Sequence, residues 1–238
     1  MTEILTIEDL NIEVRRSPRR RTADLIVDRL GDVVLCIPEA LPQWEVEDIV
    51  RRKQEWIHTK LAHKERVLRA TPAKEYVTGE GFYYLGKKYR LLMTDDPGPG
   101  QGDCRLRLRN GRFHLPRSLA DLGRTQFVLW YTAQADAWID HAVKNLKGRV
   151  AAEPSSISIR DLGFRWGSCE ANGRIVFHWR TILLPPPVIR YLVLHELVHL
   201  REHNHSPAFY QILQRAVPDY VQLEQWLELN GVKYNLQA

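Results

Sequence analysis

Five consecutive residues, His195-Glu196-Leu197-Val198-His199, carry the chemistry most readily read from this chain. On a helix, residues four apart lie on one face about a turn apart, so the two imidazoles can reach a single cation. Zinc takes imidazole nitrogens at about 2.0–2.1 Å. The glutamate beside the first histidine cannot easily bind the same ion, but it can hold and deprotonate a water on it. Two ligands and one base on one helix is the division of labour of metal-assisted hydrolysis. The spacing alone is only moderately specific, and its surroundings sharpen it. Leu194, Leu197, Val198 and Leu200 make the helix largely apolar. Buried polar side chains there need partners, which a metal supplies. The competing reading, a helix whose polar face merely happens to carry histidines, leaves them without partners.

A catalytic zinc site needs a third protein ligand and an open fourth position. Glu202, His203, His205 and an acid from a later helix are the candidates. If the helix ran on, residue 203 would lie about 12 Å along the axis from residue 195, too far for one ion. His205 follows after the chain has had room to turn. Asn204 suits a helix end, and Pro207 opens another helix. His205 is therefore the expected third ligand, with Glu224 the next choice.

These residues need a scaffold. Pro185-Pro186-Pro187 halts the chain and sets up a helix from about Val188 to Arg201, followed by helices from Pro207 and from Pro218 to Leu229. A long helix is expected over Asp121–Leu146, with Phe127, Trp130, Tyr131, Trp138, Ile139 and Val143 as its buried stripe. Strands are expected at Ser156–Asp161 and Arg174–Trp179. The earlier part reads as mixed β. Leu25–Val27 and Val33–Ile37 flank Gly31-Asp32 as one hairpin, and Tyr83–Leu85 and Tyr89–Leu92 flank Gly86 as another. A helix fits Glu45–Ala62, with Val46, Ile49, Val50, Trp56, Ile57 and Leu61 at helical spacing. Asp95–Asp103 reads as a loop, with strands after it at Cys104–Leu108 and Arg112–Leu115. The fold class is α+β. One domain is expected over residues 1–238, with a β-rich half to about residue 116 and a catalytic half over about 117–238.

Bulk properties limit the alternatives. The chain has 238 residues, 44% hydrophobic and 26% charged, as in an average soluble domain. Three scattered cysteines, Cys36, Cys104 and Cys169, argue for a reducing compartment and against a cysteine cluster. The N-terminus lacks a signal-peptide pattern. No stretch approaches the roughly 18 apolar residues of a membrane span, so the expected location is cytoplasmic. The net charge of +5 permits nucleic-acid contact without requiring it. The run Arg15-Arg16-Ser17-Pro18-Arg19-Arg20-Arg21 reads better as a solvated strand edge than as a phosphate-binding arm.

The chain also resembles the YgjP-like metallopeptidase family, relatives of the SprT-like, WLM and broader zincin peptidases. The residues carrying the likeness are Arg165-Trp166-Gly167-Ser168-Cys169, Gly173-Arg174-Ile175, Trp179-Arg180, Pro185, Tyr191, His195 to Leu200 and His205 to Tyr210. Earlier stretches match too: Arg16 to Arg20, Trp56-Ile57, Gly79-Glu80 and Leu85 to Tyr89. The resemblance implies a zincin-like core and one zinc per chain. It implies His195, His199 and His205 as ligands, Glu196 as catalytic acid/base, and a protein or peptide substrate. The His195-to-His205 spacing equals that of metzincins, but Glu202 stands where their glycine would be, and only Met1 and Met93 are available for a Met-turn. SprT-like relatives keep a DNA-associated protease as an alternative, and a non-catalytic metal-binding regulator is another. Arg174–Trp179 is expected to border the cleft and pair with an extended substrate. Cys169, Trp166 and Trp179 read as structural, and Arg165 and Arg180 as salt-bridging residues of the sheet. Tyr210 is a weaker candidate for an oxyanion donor.

Overall fold

The computed structural model describes residues 2–27, 32–69, 73–96, 104–163 and 165–236. Its contacts divide the chain into two compact units, Met1–Pro72 and Ala73–Ala238.

The first unit is a four-stranded sheet with one helix. The strands β1 (Thr2–Ile7), β2 (Leu10–Ser17), β3 (Asp24–Val27) and β4 (Val33–Pro38) lie in the order β1-β2-β4-β3. Leu10, Ile12 and Val14 alternate inward along β2, as a strand with one buried face requires. Helix α1 (Gln43–Arg69) brings fully buried Val46, Val50 and Ile57 against Ile12, Leu35 and Ile37. It outruns the expected Glu45–Ala62, since Lys64, Glu65 and Arg66 are good helix formers. The expected hairpin forms, with β3 antiparallel to β4, while Gly31 lies outside the described residues. The basic run covers the end of β2, which is paired antiparallel to β1 and parallel to β4, and leads to β3, a strand at the sheet edge. Arg15 is held by Glu13 at 2.6 Å, and Arg16 donates to the Leu41 carbonyl at 2.7 Å.

The second unit opens with the sheet β5-β6-β8-β7, built from β5 (Gly81–Tyr84), β6 (Lys87–Thr94), β7 (Arg107–Arg109) and β8 (Arg112–Pro116). Residues 97–103 of the expected loop lie outside the described residues. The strand expected from Cys104 begins only at Arg107. After a 3-10 turn over Arg117–Leu122 comes α2 (Gly123–Val150), which buries Phe127, Tyr131, Ala135, Ile139 and Val143. Trp130 and Trp138 sit half-buried at the margin of that stripe. The ring of Phe82 stacks on Phe127 at 3.9 Å between centroids, and Phe113 meets it edge-on at 5.0 Å. This shared aromatic core ties the sheet before residue 117 to the helix after it.

A second sheet of this unit, β10-β11-β9, is built from β9 (Ser156–Arg160), β10 (Gly167–Cys169) and β11 (Arg174–His178). The chain leaves β11 in a 3-10 turn over Trp179–Leu183, then forms α3 (Pro186–His199), α4 (Pro207–Ala216) and α5 (Tyr220–Asn230). The tip of the β5–β6 hairpin positions the start of α3. Leu85 and Gly86 both have positive φ, 49° and 78°, as a two-residue hairpin turn requires. Their N–H groups donate to the carbonyls of Ile182 at 2.9 Å and Leu183 at 3.0 Å. The fold is α+β, with eight of its eleven described strands before residue 117. Among the described residues, no helix is long and apolar enough to cross a membrane.

Candidate metal centre

Helix α3 starts with proline in its first turn, where a missing N–H costs nothing. It buries Val188, Ile189, Leu192, Val193, Leu197 and Val198 in the core, which fixes its rotation. Its α-helical part ends at His199 rather than Arg201. The last turn tightens, with Leu200 N–H donating to Leu197 O at 3.2 Å and Arg201 N–H to Val198 O at 2.9 Å. The chain then bends through residues 200–205 and enters α4, where the Ser206 hydroxyl accepts from Phe209 N–H at 3.2 Å.

This bend brings His195, His199 and His205 together, with one nitrogen from each within 4.8 Å of the others. Nε2 of His195 and Nε2 of His205 are 3.1 Å apart. Two imidazole nitrogens on one tetrahedral zinc stand about 3.3 Å apart, from bonds near 2.05 Å, so the donor set fits such an ion. His199 Nδ1 lies 3.1 Å from the Glu202 carbonyl. A proton placed there leaves Nε2 free as the ligand atom, as outer partners of metal-binding histidines commonly arrange. Phe209 forms the floor. It is fully buried, and its ring centroid lies 5.0, 4.6 and 4.7 Å from those of His195, His199 and His205. His205 is exposed and the other two are half-buried, so the cluster opens to solvent on one side.

The electrostatics suit a cation. Burial, then repulsion from His199 and His205, pulls the pKa of His195 down to about 3. Burial also lowers that of His199. Both therefore stay neutral with lone pairs available at ordinary pH. Burial pushes Glu196 up to about 8, against the opposing pull of Arg165. The Glu196 side chain is only 5% exposed. Glu224, the alternative third ligand, is not in the cluster. It faces the Tyr191 hydroxyl instead, adding to the burial that raises that tyrosine's pKa.

The loop into β10 is pinned to the neighbouring strand. His178 N–H donates to Trp166 O at 2.9 Å, and Thr181 Oγ1 donates to the same carbonyl at 3.2 Å. Asp161 accepts from Gly163 N–H at 2.9 Å and from Trp179 Nε1 at 3.3 Å. His178 is fully buried, with Nδ1 accepting from Arg180 N–H at 3.0 Å and Nε2 3.1 Å from Asp161 Oδ1. The expectation that Arg174–Trp179 pairs with substrate is overturned. Strand β11 is central, parallel to β9 and antiparallel to β10, so its backbone groups are already spent. The edge strand packed against α3 is β10. Trp179 is buried as expected, while Trp166 and Cys169 are half-buried. Burial, then Glu196, raises the Cys169 pKa, which keeps it a thiol and a poor nucleophile. Arg165 is exposed and reaches Ser168 at 3.4 Å, and Arg180 lies over the Trp179 ring at 5.1 Å. Tyr210 is 36% exposed, 6.1 Å from His205 between ring centroids.

A model of the YgjP-like metallopeptidase domain matches residues 21–230. The chain belongs to that family. The resemblance read from residues 165–210 is thus the family shown for most of its length. A stretch of 40 residues is 50% identical to the UTP pyrophosphatase of Escherichia coli (strain K12), spanning 17% of this chain and 24% of that protein. The match therefore covers about a quarter of the relative. Among solved structures, the metallopeptidase zymogen abylysin of Pyrococcus abyssi is similar at TM-score 0.35 and 19% identity. That likeness covers 37% of this chain and 89% of the other. Two parts of the candidate metal centre carry no signal at the level of the sequence. The Glu202 contact is made by a backbone carbonyl, and β10 is too short for a period to show. The Phe209 floor was within reach, because an aromatic three residues after Ser206 falls in the first turn of the helix that Ser206 caps.

Proposed function

We propose that this chain is a zinc-dependent peptidase in which His195, His199 and His205 hold one metal ion and Glu196 is the general acid/base. The observation that carries the reading is the convergence of three imidazoles on one point beside a buried glutamate. A bound zinc would supply a Lewis acid that polarises the scissile carbonyl and acidifies a water. The Glu196 carboxylate takes a proton from that water as it attacks the peptide carbon. The resulting carboxylic acid returns the proton to the leaving amine, so that one water is consumed per bond cleaved. Among the described residues β10 is an edge strand, a place where an extended substrate backbone could add as a strand. The three unpaired cysteines fit a reducing compartment such as the cytoplasm.

The test combines metal analysis with cleavage of an unfolded protein substrate. Glu196→Gln is expected to keep one metal per chain and to lose hydrolysis, and His205→Ala to lose metal. Retained hydrolysis in Glu196→Gln, or undiminished metal in His205→Ala, overturns the assignment. A second reading is a nucleotide pyrophosphohydrolase using the same metal centre, favoured by the 50% identity to a UTP pyrophosphatase. Release of pyrophosphate from UTP by the purified chain, without cleavage of any peptide, selects it.

A further inference from the structure

The face of β10 that meets α3 contains a glycine whose backbone does not call for one. Gly167 is not among the glycines with positive φ, and it pairs regularly with Phe177 in an antiparallel register. A side chain would be allowed by the strand itself, and glycine weakens a strand interior. The reason for glycine lies across the cleft. A Cβ at position 167 would stand 2.5 Å from Glu196 Oε1 and 2.8 Å from both Cδ and Cγ of the same side chain. All three contacts are with Glu196. The helix has no room to retreat, because Leu192, Val193, Leu197 and Val198 around it are buried in the core. Strand β10 has none either, since the carbonyl of Trp166 just before it accepts from His178 N–H and Thr181 Oγ1.

We propose that Gly167 is a positioning residue: its missing side chain forms the slot that sets where the Glu196 carboxyl stands relative to the three histidines. This rests on the reading of Glu196 as the acid/base. A methyl group in the slot forces the carboxyl to rotate out by an ångström or more. A displacement of about 1 Å at a reacting group costs roughly 100-fold in rate.

Gly167→Ala tests this on the full chain. Its kcat is expected to fall roughly 100-fold, with KM and metal content unchanged. A second readout needs no activity. Gly167→Ala should lower the melting temperature when residue 196 is glutamate. It should leave it unchanged or raised in the Glu196→Ala background, where the colliding atoms are gone. Equal loss of stability in both backgrounds, or an unchanged kcat, overturns the proposal. If the wild-type chain hydrolyses no peptide, the acid/base reading fails, but the thermal coupling still decides whether the slot exists.

Discussion

Replacing Glu196 with glutamine is expected to stabilise the metal-free protein, by an amount that depends on pH in a defined way. The unfolded chain releases the Glu196 proton near the ordinary value of 4.5, and burial delays release in the folded chain to about 8. Between those values the folded state binds more protons than the unfolded one, so stability falls as pH rises. The slope is about 1.4 kcal/mol per pH unit for one proton, and the cost levels off above the folded value. At pH 7 it amounts to about 3 kcal/mol, and near pH 4.5 it almost vanishes. Glutamine has nearly the same shape and does not titrate, so the variant lacks this slope. The depressed His195 value of about 3 works in the opposite direction, removing stability as pH falls below the ordinary 6.5, but it is present in both proteins and cancels in the difference. The assay is urea unfolding of chelated protein from pH 5 to 8, followed by tryptophan fluorescence. Five of the seven tryptophans, Trp130, Trp138, Trp166, Trp179 and Trp226, lie in the second unit. Any fixed penalty from burying the amide shifts the variant by a constant and leaves the slope untouched. A stability difference that stays flat across this range would refute the claim that Glu196 is buried as a neutral acid.

Two further outcomes probe the scaffold. Phe209→Ala removes the fully buried ring under all three histidines; it should cost about 3–5 kcal/mol in denaturant unfolding and weaken metal binding in competition with a chelator. Gly86→Ala places a Cβ 2.9 Å from Pro185 Cα at a φ of 78°. It should lose about 1–2 kcal/mol from the left-handed backbone alone, and more from a clash with main chain that a flexible side chain would have avoided.

How much of this was legible in the sequence depended on the range of the interactions. The spacing of His195 and His199 follows from one helix and needs nothing distant. His205 was selected by the length of one turn, and the tightened end at Leu200 supplies that turn. The hairpin β5–β6 closes on a two-residue turn with glycine, and β3 and β4 are near neighbours in the chain, so both pairings were local. The parallel pairings of β2 with β4, β6 with β8, and β9 with β11 join strands separated by other elements, and no periodicity reports them. This is why β11 was offered as a docking strand. Packing across the expected division near residue 116 is equally invisible to periodicity. The aromatic residues on its two sides, Phe113 and Phe127, form one core.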